Sequence, residues 1–460
     1  MLGSVKLTKS IAYRRIGEHC VIILTDQGRM LFLNETAATI LEMLDTRVPD
    51  DALVEELVRT YAIERTTAQK DYEDIRDAFA ALQITVPIDD HPTVPATDEI
   101  EEQGNAFDPR ATLKSYCAEN GIPLQCFIEV TEACNLKCSH CYIPEKVPHN
   151  QLSTVEYKHL FSELRDLGCL EIILTGGEPL LNPNLLELCE YARRLRFSVI
   201  VKTNATLLSE GVIDDFRRLH ITEVQVSLYS LSPAIHDAIV GPTGSHAKTM
   251  EGIRRCREAG QRCRISCVVM RSNYRHLEGL KEFAAHVGAP LGFDLLVTRR
   301  LDGTVFPLLE RVGVEELGWL DREGLMRDVI FNGAASIIRV GDDTNAIQEY
   351  AIEDSESRIC GAANTMAAIT SVGEVRPCIA FPYNMGNVRD KPLREILSSS
   401  NPKAALIRDF RNSSFQDCNG CLYLPSCPRC MATIYQETGQ PVGKAEAICQ
   451  IAMYHQRYGA

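Results

Sequence analysis

Glu132-Ala133-Cys134-Asn135-Leu136-Lys137-Cys138-Ser139-His140-Cys141-Tyr142 is the stretch on which the fold of this chain turns. Its three cysteines stand in the spacing CxxxCxxC. Three thiolates on one loop can hold three irons of a [4Fe–4S] cube, leaving the fourth iron open to chelate a small molecule. A closed zinc site would need a fourth ligand, commonly as paired CxxC or CxxC/HxxxH halves. His140 and His149 are the nearby imidazoles for that alternative. The whole chain has 18 cysteines in 460 residues. Disulfide frameworks belong to short secreted domains, and Met1 to Arg15 lack the apolar core and cleavage site of a signal peptide. The expectation is a cytoplasmic protein with reduced thiols whose clusters serve as metal ligands.

The cysteine loop follows an apolar run, Phe127–Val130. Further runs at Leu170–Leu174, Ser198–Val201, Glu223–Leu228, Arg264–Val269 and Leu291–Val297 alternate with helical stretches. Those helices fall near 154–167, 184–195, 209–219, 246–259 and 275–287. Strand–helix alternation builds βα units and a parallel sheet. The fold class expected is α/β, a partial (β/α)6 barrel of TIM-like type, with ligands at the carboxyl ends of the strands. Thr175-Gly176-Gly177-Glu178-Pro179 ends the second strand. Its glycines permit close backbone approach, and its carboxylate can accept hydrogen bonds from a cationic amine. Thr203-Asn204-Ala205 ends the third strand, Ser227-Leu228-Tyr229-Ser230 the fourth, and Arg271 follows the fifth. Polar residues at strand ends are also common turn formers.

With CxxxCxxC after the first strand and GGEP after the second, the chain resembles the radical S-adenosylmethionine (SAM) enzymes. The resemblance implies that Cys134, Cys138 and Cys141 ligate a [4Fe–4S] cluster that binds SAM. It implies that Gly176, Gly177, Glu178 and Pro179 form the loop at the SAM amino group, with Glu178 as acceptor. Asn204 and Ser227 would reach the ribose or carboxylate, and Arg271 the carboxylate. His140 departs from the family, which usually has an aromatic there. The implied mechanism starts when the reduced cluster gives one electron to SAM. The sulfonium C–S bond then breaks, and a 5′-deoxyadenosyl radical removes a hydrogen atom from an unactivated carbon. An electron donor such as flavodoxin or ferredoxin is the implied partner.

The remaining clustered cysteines are Cys360, Cys378, Cys418, Cys421, Cys427, Cys430 and Cys449. Cys360 and Cys378 flank an expected hairpin. In order and spacing the set resembles the SPASM extension, which carries auxiliary [4Fe–4S] clusters in radical SAM enzymes that modify peptides and proteins. The family usually has three residues between the last two closely spaced cysteines, and here Pro428 and Arg429 stand alone. Carried over, Cys418, Cys421, Cys427 and Cys449 would ligate a distal cluster. Cys360, Cys378 and Cys430 would ligate a proximal cluster that is one ligand short. Either a distant residue completes it, or one iron is open to a substrate thiolate. A zinc ribbon over Cys418–Cys430 would explain neither Cys360 nor Cys378.

The first 86 residues read as a separate winged-helix-like module. Apolar runs from Cys20 and Arg29 flank Asp26-Gln27-Gly28, which has hairpin turn chemistry. Asn34 stands at a helix N-cap position, and helices are expected near 35–44, 50–61 and 67–83. With Tyr13-Arg14-Arg15-Ile16 and Leu33-Asn34-Glu35-Thr36-Ala37, the module resembles the leader-peptide recognition domain of maturases of ribosomally made peptides (RiPPs). There a leader peptide adds a strand to a sheet edge. A DNA-binding winged helix is the alternative. It is disfavoured by 62 Asp+Glu against 48 Lys+Arg, a net charge of −14, and by Glu35 and Glu42 without Lys or Arg in residues 35–44.

The expected boundaries are 1–86 for this module, 87–119 for an acidic Pro-containing linker and 120–310 for the barrel. Bridging helices, one near 313–328, fill 311–355, and 356–460 is the cysteine-rich extension. No run approaches the roughly 18 apolar residues that span a bilayer. The expected partner is a precursor peptide bound through its leader, with no nucleic acid and no membrane. Arg299 and Asp302, just past the sixth strand, are candidates for lining the substrate site. The three resemblances together imply a sactisynthase-like peptide maturase that installs an intramolecular crosslink, a Cys thioether. Carbon–carbon crosslinking, excision, epimerisation and sulfatase-type protein maturation use the same radical start. A non-catalytic iron–sulfur peptide-binding protein is a rival of another class.

Overall fold

The computed structural model describes residues 5–87, 109–144, 150–326, 329–330, 358–424 and 427–456. His149 and most of the acidic linker lie outside them, as does most of the stretch assigned to bridging helices. The chain divides into two compact units, Met1–Tyr116 and Cys117–Ala460.

The first unit contains strands β1 (Val5–Leu7), β2 (Ile11–Ile16), β3 (His19–Leu24), β4 (Arg29–Leu33) and β5 (Thr85–Pro87). Helices α1 (Glu35–Asp45), α2 (Asp50–Tyr61) and α3 (Arg65–Ala81) accompany them. The Asp26–Gly28 turn forms as expected. Gly28 has φ +65°, and its N–H donates to the Leu24 carbonyl at 2.7 Å. Asn34 caps α1 by accepting from the Ala37 N–H at 2.9 Å. Ile22, Leu24, Ile40, Leu41, Leu53, Leu57 and Phe79 form its core. The expected hairpin is in fact a three-stranded antiparallel sheet, β2-β3-β4. Arg14 and Arg15 hide β2 in the sequence. In the structure Arg15 pairs with Glu42 at 3.2 Å, and the Tyr13 hydroxyl donates to Asp45 at 2.7 Å, tying β2 to α1. β1 pairs with β5, also unforeseen.

α4 (Pro109–Asn120) lies inside the stretch expected as linker, with residues 109–116 in the first unit and the rest opening the second. Strands β6 (Gln125–Thr131), β7 (Glu171–Gly176), β8 (Ser198–Thr203), β9 (Glu223–Ser227), β10 (Cys263–Val268) and β11 (Leu291–Asp294) then pair in chain order, all parallel. Their crossovers include α5 (Thr154–Asp166), α6 (Leu185–Arg194), α7 (Glu210–Arg218), α8 (Pro233–Val240), α9 (Ser245–Glu258) and α10 (Leu277–His286). Cys126, Ile128 and Val130 of β6 join a core with Leu160, Phe161, Leu164 and Leu188 of the outer helices. Alternation therefore turns Gln125, Phe127 and Glu129 to the barrel interior.

This is the expected partial barrel, with three differences. α8 was not foreseen. The helix near 313–328 is α11 (Val314–Arg322), which ends before Gly324 at φ +71°. The sheet is also larger, with ten strands. β12 (Val329–Ile330) joins β11. On the other edge β13 (Met366–Ile369) pairs in parallel with β6, and β14 (Glu374–Arg376) and β15 (Gly386–Asn387) follow antiparallel. The hairpin between Cys360 and Cys378 is thus part of the barrel sheet.

Ser153 and Glu156 close a capping box on α5, and Arg389 clamps Glu156 at 2.6 Å. The hydrogen bond from Arg389 is the main reason that the Glu156 carboxyl is held down from 4.5 to about 2. A carboxyl held low stabilises the fold above its ordinary pKa and loses that contribution as pH falls toward the folded value. Arg389→Ala is expected to flatten the stability slope between those two values. The pair is about a third exposed, so the cost at neutral pH stays under about 1 kcal/mol. Urea unfolding of both proteins at about pH 3 and about pH 6 checks this.

Candidate functional site

A cavity of about 290 Å3 opens at the carboxyl ends of the barrel strands. Cys134, Cys138, Cys141 and Tyr142 wall one side, with Gly176, Gly177, Thr203, Asn204, Ser227 and Tyr229 beside them. Backbone hydrogen bonds hold the cysteine loop in place. The Gly177 N–H donates to the Thr131 carbonyl and the Glu178 N–H to Ala133, both at 2.8 Å. The Lys137 and Ser139 N–H groups donate to Val240 and Ile239 at the end of α8, both at 2.9 Å. These are carbonyls that a helix end leaves free. The Ser139 hydroxyl donates to Glu310 at 2.9 Å, and the Tyr142 hydroxyl to Glu129 at 3.1 Å. A Cβ on Gly176 would lie 2.0 Å from the Thr131 oxygen, and one on Gly177 2.3 Å from the Ala133 oxygen. The two glycines are therefore required first by the backbone of the cysteine loop.

The structure groups ten cysteines into sets of three, three and four. Cys134, Cys138 and Cys141 are close enough for each thiolate to disfavour ionisation of another. So are Cys360, Cys378 and Cys430. Cys418, Cys421, Cys427 and Cys449 form the third set in the same sense. Burial is the largest cause raising the Cys360 thiol, to about 12, and the Cys427 thiol, to about 11. Ionising neighbouring thiols together needs a compensating cation. Among the described residues, no three Cys, His, Asp or Glu side chains converge as a single metal ion requires. A cube bonds each thiolate to a separate iron, so a cluster would not require such convergence. The other eight cysteines are buried.

Comparison with known proteins agrees with this geometry. The family model described as the Radical SAM superfamily matches residues 128–284. The SPASM iron-sulfur cluster-binding domain matches 360–422, and Coenzyme PQQ synthesis protein D (PqqD) matches 19–82. The chain is a radical SAM enzyme. It carries SPASM and PqqD-type domains. Cys427, Cys430 and Cys449 fall beyond the matched SPASM range. AdoMet-dependent heme synthase of Methanosarcina barkeri is 29% identical over 68% of this chain and 92% of its own length. The antilisterial bacteriocin subtilosin biosynthesis protein AlbA of Bacillus subtilis is 26% identical over 65% of each. The Streptococcus suis SuiB structure bound to precursor peptide SuiA shares the fold, with TM-score 0.61 and 17% identity over 97% of this chain and 100% of that one.

In this radical SAM enzyme, Asn204 and Ser227 line the cavity. The Asn204 side chain also donates to Asn135 at 2.9 Å and accepts from Thr206. Two expected contacts are placed differently. Glu178 is fully buried behind the cavity wall with Pro179. Its carboxylate accepts from the Thr203 hydroxyl at 2.7 Å, the Asn204 N–H at 2.8 Å and the Leu180 N–H at 3.1 Å. It thus braces the ends of β7 and β8, and the positions that face the cavity are Thr175, Gly176 and Gly177. Arg271 is a correction. Its N–H donates to the Glu310 carbonyl, its half-exposed side chain faces Glu316 at 3.5 Å, and it does not line the cavity. The chain has already turned outward there, and Ser266 and Val268 face inward from β10. Arg299 and Asp302 also lie off the wall.

His140 packs edge-on against Tyr229, with ring centroids 4.8 Å apart, filling the place of the family's aromatic. Burial holds its imidazole down to about 4, so it is neutral. The sequence reading passed over Lys202, Gln225 and Asp294, which also line the cavity. The available signal was a charge at an inward position of an otherwise apolar strand. Among the described residues, no helix is long and apolar enough to cross a membrane.

Proposed function

We propose that this enzyme is a RiPP maturase that joins a cysteine sulfur to a carbon of the same precursor peptide, forming a thioether. The observation that carries the reading is a single cavity with two kinds of wall. Cys134, Cys138 and Cys141 stand on one side, and Ile379 and Ala380, directly after Cys378, stand on another. The residues that directly follow Cys378 therefore border the same space as the cofactor set, although Cys360, Cys378 and Cys430 do not themselves line it. With SAM and its cluster bound, that space gains the one-electron chemistry that takes a hydrogen atom from an unactivated carbon. The chain's part is to hold the peptide carbon in place and to exclude water, which the largely apolar wall of Phe127, Leu136, Ile143, Val240 and Phe293 favours. Cys360, Cys378 and Cys430 supply three thiolates where a closed cube takes four. That leaves a position suited to a fourth thiolate, from substrate.

The PqqD-type module supports a peptide substrate, since β2 and β4 are the edges of its sheet and an edge strand can accept an added strand. The same observation weighs against a heme-synthase reading. That relative is matched over nearly all of its length, whereas about a third of this chain has no counterpart in it. A flavodoxin or ferredoxin donor and a cytoplasmic location complete the proposal.

The test is co-expression with short peptides encoded by neighbouring reading frames, followed by mass spectrometry with thiol alkylation. A thioether removes two hydrogens and one alkylatable thiol. Loss of two hydrogens with every thiol retained would mean a carbon–carbon bond. No mass change would mean epimerisation or no reaction, and a larger loss would mean excision.

A further inference from the structure

Beside the cofactor residues, the cavity has a charged floor that the cofactor reading leaves unused. Lys202, Gln225, Ser266, Gly292 and Asp294 line it from four neighbouring strands. Register fixes their levels, with Lys202 beside Gln225, Ser266 beside Gly292, and Val268 beside Asp294. The flanking residues Val201, Val224 and Val226 belong to the outer core, so alternation turns Lys202 and Gln225 inward. A Cβ on Gly292 would meet no atom within 4 Å, so the floor is open there.

Lys202 and Asp294 act on each other across this space. Burial is the largest influence and disfavours both charges; the Leu296 N–H, donating at 2.9 Å, and then the ammonium favour the Asp294 carboxylate, while Asp294 and then Glu223 favour the ammonium. Burial wins at Asp294, which is pushed up to about 6. The ammonium also lies 5.5 Å from the centroid of the Phe127 ring.

An apolar side chain entering this floor would strip water from both charges and return no hydrogen bond. An ionic one would leave a net charge buried without a partner. A small neutral group that both donates and accepts can serve carboxylate and ammonium together. Hydroxyl, thiol and carboxamide side chains meet that description.

We propose that Lys202, Asp294 and Gly292 form the subsite for the side chain of the precursor residue whose hydrogen is removed, and that they select a small, neutral, hydrogen-bonding side chain. The proposal rests on the maturase reading. Its test is a competition, because a product ratio does not depend on how much enzyme is active. Precursor peptides found by co-expression, carrying Asn, Ser, Leu or Asp at the modified position, are mixed in pairs with the enzyme holding its clusters. The wild-type enzyme should favour Asn or Ser over Leu and over Asp by at least about 50-fold, the scale set by leaving a buried polar group unpaired. Lys202→Met and Asp294→Asn should shrink the preference over Leu to within about 5-fold, and Asp294→Glu should restore part of it. Gly292→Ala should tilt the ratio toward Ser over Asn. A wild type that favours Leu or shows no preference overturns the proposal. Ratios unchanged in both Lys202→Met and Asp294→Asn also overturn it. A wild type that modifies no peptide overturns the maturase reading, and this proposal with it.

Discussion

Gly177→Ala should lose the SAM-binding cluster while both C-terminal cysteine sets keep theirs. The added methyl would lie 2.3 Å from the Ala133 carbonyl oxygen and 2.6 Å from that of Glu132. Both obstacles are backbone, so no side chain can rotate away. The loop that carries Cys134 must move, and the hydrogen bond from the Gly177 N–H to Thr131 must lengthen. A displacement near 1 Å at a reacting centre costs on the order of 100-fold, so peptide-free deoxyadenosine formation should fall by at least about that factor. Iron content should drop by about one third if each set carries one cube. Gly211→Ala is the control, since a methyl there meets nothing within 4 Å on the surface of α7. It should leave iron and cleavage intact. A normal SAM-cluster signal in Gly177→Ala, read by electron paramagnetic resonance, would refute the account of why the glycines are there.

The second large effect separates the SAM-side set from the proximal set. Cys134→Ala should abolish SAM cleavage, and Cys430→Ala should leave cleavage and remove the crosslink. Cys134 is the first thiol of the loop that borders Gly176 and Gly177. Cys430 interacts with Cys360 and Cys378. Deoxyadenosine reports the first step and peptide mass the second, so the two variants should give opposite patterns. Because Cys430 directly precedes the helix Met431–Thr438, Cys430→Ser is the gentler companion, keeping size and an acceptor for the Thr433 hydroxyl. Persistent cleavage in Cys134→Ala would sink the assignment of the loop. Intact crosslinking in both Cys430 variants would remove the proximal set from the reaction.

Much of this could be read without coordinates, for local reasons. CxxxCxxC keeps three thiols on one short loop whatever the rest of the chain does. Apolar runs separated by amphipathic stretches call for parallel strands and crossover helices, and six such strands pair in chain order. Asn34 capped its helix because an N-cap is a contact across three residues. Elements whose evidence is non-local escaped. β2 carries two arginines and is stable as a strand because α1 supplies Asp45 and Glu42. α8 is short, and its end is used by the cysteine loop rather than by its own sequence neighbours.

The sequence by itself determined which cysteines can act together on a local loop, the α/β class and the order of the barrel strands. These depend on spacing and periodicity, which a linear chain carries. Only the tertiary structure decided what shares the cavity. It put β13 beside β6 and so brought the residues after Cys378 to the SAM-side wall. It turned Glu178 back onto Thr203 and Asn204, and sent Arg271 out to Glu316. It faced Lys202 and Asp294 across one floor. Each of these outcomes depends on register between strands far apart in the chain, and a shift of one residue reverses which side chains face inward.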